Sequence, residues 1–157
     1  SSTAARAGGC AALPRPAIVT HLGELIERLP FVHAEVVLLI PPFGCATPEV
    51  YRAYDALGPS PLRDADIRAL ATHHVLDPAS LFNDLFPAAC SHQPGLARYI
   101  SHAASRAGLP AHLSGSGSGI FIITPPERSH ALATHLAADP LLAPCAIIAT
   151  HLADPHQ

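Results

Sequence analysis

Apolar residues follow two different periods along this chain, and each period predicts a different element. The run 36–40 (VVLLI) is short, rich in β-branched side chains and closed by Pro41-Pro42, which is typical of a buried strand. In 94–107 the apolar side chains recur every three or four residues, and Gly108 follows them. That pattern predicts an amphipathic helix that ends at a glycine cap.

The same reasoning places the remaining elements. Thr47 and Pro48 predict a helix start, because a threonine N-cap followed by proline at the first helical position is a common arrangement. The predicted helices are 48–57, 64–74, a helix from Asp77-Pro78 through Phe86, 94–107 and 127–138, and the predicted strands are 36–40, 110–114, 119–124 and 145–150. This order indicates an α+β fold of the ferredoxin-like split β-α-β type, a four-stranded antiparallel sheet with helices on one face.

The first 30 residues do not fit this order. Segment 17–29 alternates weakly between apolar and polar residues, which predicts edge strands that pair with something absent from this chain. The opening stretch is rich in Ser, Ala and Gly and has the composition expected at the edge of a piece cut from a longer chain. We therefore expect one domain over 31–157 and the remnant of another over 1–30.

Serine and glycine alternate at 114–119, directly before the apolar run 120–123. Glycine accepts positive φ and lets a phosphate approach the backbone, so several N–H groups can surround one anion. A flexible linker or a plain hairpin turn is the alternative, although linkers usually join polar or proline-rich flanks. Composition alone gives the two interpretations about equal weight.

Two other segments carry residues of interest. In 41–51 a glycine bend and the predicted helix start precede the aromatic Tyr51. As structure this is a strand-to-helix connection, but a helix N-terminus beside an aromatic ring can also hold a polar ligand and stack a flat base. Asn83 and Asp84 lie within an apolar stretch, where such side chains usually bond the backbone and fix a helix junction.

Charge and hydropathy argue against several classes of partner. All nine basic residues are arginine and the formal net charge is -3, which leaves no basic surface for a nucleic-acid backbone. The longest apolar runs are far below the roughly 20 residues of a membrane span, and the chain does not open with a secretory signal pattern. We expect a cytoplasmic protein that binds neither nucleic acid nor a membrane.

Cysteine and histidine spacing does not predict a metal site. The four cysteines are widely spaced, so we expect reduced thiols rather than a zinc motif or a disulfide scaffold; they are Cys10, Cys45, Cys90 and Cys145. Among the histidines the closest pairs are His73-His74 and His130 with His135, and neither pair shares a helix face. We expect them to be solvated surface residues.

Three segments together resemble the C-terminal half of the GHMP kinase superfamily. They are P-P-F-G-C-A-T-P-E-V-Y at 41–51, N-D-L-F-P at 83–87 and L-S-G-S-G-S-G-I-F at 113–121, and they occur in the order that the superfamily shows. The chain most resembles the branch that acts in non-mevalonate isoprenoid biosynthesis. The resemblance implies ATP-dependent phosphoryl transfer to the 2-hydroxyl of a cytidine-diphosphate-linked methylerythritol, a small-molecule substrate.

The resemblance also implies which residues bind the substrate. Those that match the cytidine pocket are Thr47, Pro48 and Tyr51. Those that match the glycine-rich motif near the phosphates are Ser114, Gly115, Ser116 and Gly117.

By the same resemblance, ATP and Mg²⁺ are bound mainly by an N-terminal half that supplies the catalytic groups. This chain has no lysine and no nucleotide loop of the G-L-G-S-S-S-A type. We therefore expect no catalytic and no metal-binding residue in it, a missing N-terminal kinase domain as its partner, and no activity of the chain alone. Two alternatives stay open: a kinase of the homoserine or mevalonate type, and a non-catalytic ferredoxin-like binding domain.

Overall fold

The computed structural model describes residues 16–20, 24–30, 32–58, 60–61, 63–72 and 76–152. Its strands are β1 (Ala17–Thr20), β2 (Leu25–Arg28), β3 (Glu35–Ile40), β4 (His112–Leu113), β5 (Ile120–Thr124) and β6 (Ala146–His151). Its α-helices are α1 (Thr47–Leu57), α2 (Asp64–Thr72), α3 (Phe86–His92), α4 (Gly95–Ala107) and α5 (Ser129–Ala137), and Pro78–Ser80 form a 3₁₀ helix.

Strand β3 lies inside a four-stranded antiparallel sheet of order β4-β5-β3-β6. Val37 of β3 lies opposite Ile122 on one side and Ala149 on the other. The short strand β4 pairs with the outer edge of β5, where Leu113 lies opposite Ile120. Strands β3 and β4 are joined through helices but are not neighbours in the sheet, because β5 lies between them. This is the predicted split β-α-β order, and the α+β class is confirmed.

One face of the sheet carries the hydrophobic core. Successive side chains of a strand point to opposite faces, so Val37 and Leu39 share a face and both are fully buried. They belong to the same cluster as Leu96 of α4 and Leu136 of α5. On the opposite face Ile40 is 46% exposed. The helices therefore cover the face that includes Val37, as predicted.

The helix predicted from Asp77-Pro78 through Phe86 is wrong. The chain leaves the 3₁₀ helix in extended backbone at Leu81, and α3 begins only at Phe86. Asn83 lies in this break, and its Oδ1 accepts a hydrogen bond of 2.9 Å from the backbone N–H of Leu85. The side chain competes with helical hydrogen bonding and interrupts the helix.

Other boundaries also differ from the prediction. Ala46, not Thr47, is the N-cap residue of α1, and no side chain caps that helix. Strand β4 has two residues instead of the predicted 110–114. Helix α5 begins at Ser129 instead of 127 because Glu127 has a φ of 63°, in the left-handed region. The predicted end of α2 at residue 74 falls outside the described residues.

The segment predicted as edge strands forms its own hairpin. Strands β1 and β2 pair with each other, with Val19 opposite Ile26, so the prediction that they pair with something outside the chain is wrong for these residues. Arg68 of α2 donates a hydrogen bond of 3.0 Å to Glu27 of β2. This ion pair joins the hairpin to α2.

Glu35, at the start of β3, caps helix α5. Its carboxylate accepts hydrogen bonds from the backbone N–H groups of Glu127 at 2.7 Å and Ser129 at 3.1 Å. The side chain of Arg128, the N-cap residue of α5, makes no capping hydrogen bond. A hydrogen bond from the Ser129 side chain, followed by these two backbone bonds, lowers the pKa of Glu35. The first strand of the sheet thus fixes the start of a helix more than 90 residues later.

We predict that this cap makes stability depend on pH. Because the folded-state pKa is lowered, the carboxylate stabilises the fold fully above the unfolded pKa of about 4.3, and this contribution is lost as the pH falls through the folded pKa. Urea unfolding of the wild-type chain and of Glu35→Gln should therefore give a larger difference in unfolding free energy at neutral pH than in acid. An equal difference at both pH values would show that the charge is not what stabilises α5.

Candidate functional site

The Ser/Gly segment is the tight loop of the β4–β5 hairpin. The N–H of Ser114 donates to the carbonyl of Gly119 at 2.8 Å, and the N–H of Gly117 donates to the carbonyl of Ser114 at 3.0 Å. Gly115 and Gly117 have φ of 56° and 94°, values that favour glycine. The peptide bond between Gly117 and Ser118 is cis. The segment is therefore a hairpin turn within one sheet and not a linker, so the hairpin-turn alternative describes its structure, while phosphate binding stays a prediction.

The connection between β3 and α1 packs against this loop. The hydroxyl of Ser118 donates a hydrogen bond of 2.6 Å to the carbonyl of Phe43. One residue earlier, a Cβ placed on Gly117 would lie 3.2 Å from the Sγ of Cys45. The backbone of the loop thus approaches the connection closely only because residue 117 has no side chain.

Helix α1 begins beside the loop. The Oγ1 of Thr47 and the Oγ of Ser116 are hydrogen-bonded at 2.9 Å, so the threonine binds the loop instead of capping its own helix. Tyr51 lies one turn further on and is 50% exposed, whereas its neighbour Val50 is fully buried. The inward face of α1 holds the helix in place and leaves the ring of Tyr51 on the surface.

The third segment reaches the same loop through Asn83. Its Nδ2 donates to the carbonyl of Leu113 at 3.0 Å and to the carbonyl of Gly115 at 2.8 Å. The predicted role at a helix junction holds as well, through the bond to Leu85. Asp84 instead points to Arg63, at 4.0 Å. All three segments therefore meet at one end of the sheet.

The thiols near this site are neutral packing groups. Cys45, Cys90 and Cys145 are free, and Cys10 lies outside the described residues. Burial raises the pKa of the Cys45 thiol. Burial and, secondarily, the neighbouring Cys45 raise the pKa of Cys90. Protonated thiols are weak nucleophiles and weak metal ligands, so both side chains serve packing.

Sequence reasoning missed two histidines with specific surroundings. His102 is hydrogen-bonded at 2.9 Å to Asp139, whose carboxylate also forms an ion pair of 3.0 Å with Arg106. Burial raises the pKa of Asp139, but the bond to His102 and the backbone bonds lower it more. The ring of His112 lies 5.4 Å from the ring of Phe121, centroid to centroid, and burial lowers the pKa of His112. Asp139 lies 37 residues after His102, and Phe121 lies opposite His112 only once β4 and β5 pair, so no local pattern marks either histidine.

The histidine pairs that are closest in sequence differ in whether the structure describes them. His130 and His135 are exposed on α5, and His73-His74 lie outside the described residues. Within the described ranges no group of three or more His, Cys, Asp or Glu side chains has the arrangement of a metal site. None of the helices in those ranges has the length and apolar character needed to cross a membrane.

A concave surface lies at the opposite end of the sheet from the loop. This far groove is lined by the start of β3, the end of β5 and the end of β6, including Glu35, Thr124 and Thr150. The carboxylate of Glu35, which lines this groove, already caps α5. The loop end of the sheet, where exposed hydroxyls and an exposed aromatic ring converge, is the better candidate for ligand binding.

Comparison with known proteins agrees with the resemblance of the three segments. No family model matches the chain. A protein of Rhizobium etli (strain CIAT 652) named 4-diphosphocytidyl-2-C-methyl-D-erythritol kinase is 32% identical over 125 residues, which are 77% of this chain and 42% of that protein. The chain is homologous to part of this kinase. A protein of the same name from Pelotomaculum thermopropionicum (strain DSM 13744 / JCM 10971 / SI) is 36% identical over 107 residues, 65% of this chain and 37% of the relative.

A solved structure supports the same relationship. The crystal structure of 4-(cytidine 5'-diphospho)-2C-methyl-D-erythritol kinase matches with a TM-score of 0.67 and 25% identity, over 87% of this chain and 49% of that chain. The α+β fold is thereby confirmed as that of part of the kinase. The chain spans about two fifths of the length of the curated kinases it matches.

We predict that the two left-handed glycines of the loop differ in their tolerance of a side chain. Gly115→Ala places a methyl group in open space and meets only backbone strain, so it should lower the unfolding free energy by about 1 kcal/mol. Gly117→Ala adds contacts of 3.1 Å to Leu113 and 3.2 Å to Cys45, and should cost about 2–4 kcal/mol. Urea unfolding of both variants measures the difference.

The comparison is matched because both substitutions add the same methyl group at positive φ. Equal losses of stability in the two variants would contradict the close packing of the loop on the β3–α1 connection.

Proposed function

We propose that this chain is the C-terminal, substrate-binding part of an ATP-dependent kinase that phosphorylates the 2-hydroxyl of 4-diphosphocytidyl-2-C-methyl-D-erythritol in isoprenoid biosynthesis. The observation that carries the proposal is the convergence of 41–51, 83–87 and 113–121 at one end of the sheet. The names of the homologous kinases support it. In this proposal residues 31–157 form the C-terminal domain, 1–30 come from the preceding domain, and the enzyme is cytoplasmic.

Helix α1 supplies the cytidine side of the proposed site. Tyr51 exposes half of its surface, and an exposed aromatic ring on a rigid helix is a stacking surface for a flat base. Thr47 and Pro48 form the first turn of the helix beside the loop. The positive end of the helix dipole there favours the negative diphosphate of the substrate.

The Ser/Gly loop supplies the phosphate side. Ser114 and Gly115 are exposed, and Ser116 is held beside α1 by Thr47. Hydroxyl groups and a backbone without side chains allow close hydrogen bonding to phosphate oxygens. Gly117 brings this loop against the β3–α1 connection, so base and phosphate sites lie on one continuous surface.

In the proposed enzyme ATP and Mg²⁺ are bound mainly by the N-terminal half. The chain has no lysine, and its described residues hold no cluster of acidic side chains that fits Mg²⁺. When bound, the metal would neutralise the charge that develops on the transferring phosphoryl group. The residues of this chain bind and orient the acceptor substrate, and orientation is a major part of phosphoryl-transfer catalysis.

The test uses a kinase chimaera, in which the residues of this chain replace the segment of the Rhizobium etli (strain CIAT 652) kinase that they match. In the chimaera, Tyr51→Ala removes a stacking surface worth about 1–3 kcal/mol. The KM for the diphosphocytidyl substrate should therefore rise roughly 5- to 150-fold. A coupled assay of ADP release measures it.

Tyr51→Phe is the matched control, because it keeps the ring and should leave the KM within about twofold. The 157-residue chain alone should give only background in the same assay. An unchanged KM in Tyr51→Ala would remove Tyr51 from the site. A chimaera that turns over homoserine or mevalonate but not the diphosphocytidyl substrate would overturn the proposed function.

A further inference from the structure

Asn83 joins two parts of the candidate site that are 30 residues apart in sequence. Its amide group donates to the carbonyls of Leu113 and Gly115, which flank Ser114, at 3.0 and 2.8 Å. Its oxygen accepts from the N–H of Leu85 just before α3. The loop base and the start of α3 are therefore held by one half-buried side chain.

The contacts use both donors of the carboxamide group and one of the two acceptor sites on its oxygen. An asparagine side chain has two N–H donors on one atom and one acceptor oxygen, and here the two carbonyls and the amide of Leu85 match them. A hydroxyl could not bridge two carbonyls with separate donors, and a carboxylate has no donor at all. The position therefore specifies asparagine more narrowly than a helix junction requires.

The bridged carbonyls determine where the loop lies. Leu113 is anchored in the core, with 4% of its surface exposed, whereas Gly115 is exposed and has a left-handed backbone. Asn83 ties the second carbonyl to the first, so the exposed part of the loop takes its position from the buried part. A loop held in this way does not have to be ordered when substrate binds, which favours binding.

We propose that Asn83 is a positioning residue for substrate binding, which holds the Ser/Gly loop in the conformation that receives the phosphates of the substrate. The inference rests on the proposed function for the identity of that substrate. By this inference Asn83, which belongs to a different segment, affects substrate affinity without contacting the substrate.

The deciding variant is Asn83→Asp in the kinase chimaera. Aspartate has nearly the same shape and can still accept from Leu85, so α3 should begin as before. Its carboxylate cannot donate to either loop carbonyl and repels both. The KM for the diphosphocytidyl substrate should rise roughly 10-fold or more, while the KM for ATP should stay within about twofold.

Amide hydrogen exchange provides a readout that does not depend on activity. In Asn83→Asp the amides of Ser114 and Gly117, which are bonded within the loop, should exchange roughly 10-fold faster, while amides of α4 should keep their protection. Asp84→Asn is the matched control, because Asp84 faces Arg63 and should change neither exchange nor KM.

The outcomes separate this inference from the proposed function. Unchanged loop exchange in Asn83→Asp overturns the inference, as does faster exchange with an unchanged KM. Equal increases of both KM values, with loss of α4 protection, also overturn it, because Asn83 would then support the fold in general. A wild-type chimaera without kinase activity refutes the proposed function, and hydrogen exchange still decides whether Asn83 holds the loop.

Discussion

The close approach of Gly117 to Cys45 is the contact on which the candidate site depends. With no side chain at 117, the β4–β5 loop lies against the β3–α1 connection, and the hydrogen bonds of Ser116 and Ser118 to that connection and to α1 become possible. A methyl group at 117 would lie 3.2 Å from the sulfur, so one of the two segments would have to shift by a few tenths of an ångström. Van der Waals contact at this one backbone position therefore sets how closely helix α1 and the Ser/Gly loop approach each other.

The sheet provides the rigid support for this contact. Strand β3 ends directly before the connection that holds Phe43 and Cys45, and β5 begins directly after the loop. Since β3 and β5 are hydrogen-bonded neighbours, the two segments leave the sheet side by side. Buried side chains such as Leu39 and Ile120 fix the register, because a slip of one residue would turn them to the exposed face. Placing the site on strand ends gives it a precision that free loops lack.

Elements with local signals could be predicted from the sequence. Pro41-Pro42 after an apolar run marks the end of β3, and Gly108, with a φ of 65°, ends α4 as predicted. The helix junction at Asn83 could be predicted from the residue type, but the bonds of Asn83 to carbonyls 30 or more residues away could not. The start of α5 depends in the same way on Glu35, more than 90 residues earlier. Boundaries set by distant partners leave no periodic pattern in the local sequence.

In the candidate site too, the residue types could be predicted from the sequence but the contacts between distant residues could not. The glycines and serines of the loop, and Tyr51 after a helix start, could be recognised as groups that suit phosphate and base. Their proximity could not, since it arises from the bond between Thr47 and Ser116 and from the packing at Gly117. The sequence pattern misassigned Thr47 to its own helix cap because the competing hydroxyl is 69 residues away.

The most direct test of the shared surface is an NMR titration of the isotope-labelled kinase chimaera with cytidine 5'-diphosphate. If helix α1 and the loop bind the two ends of one ligand, the amide shifts will change at Thr47 and Tyr51 and at Ser114 to Gly117 with a single dissociation constant. Shifts confined to the far groove around Glu35 and Thr150, or to only one of the two segments, would contradict a site built across them.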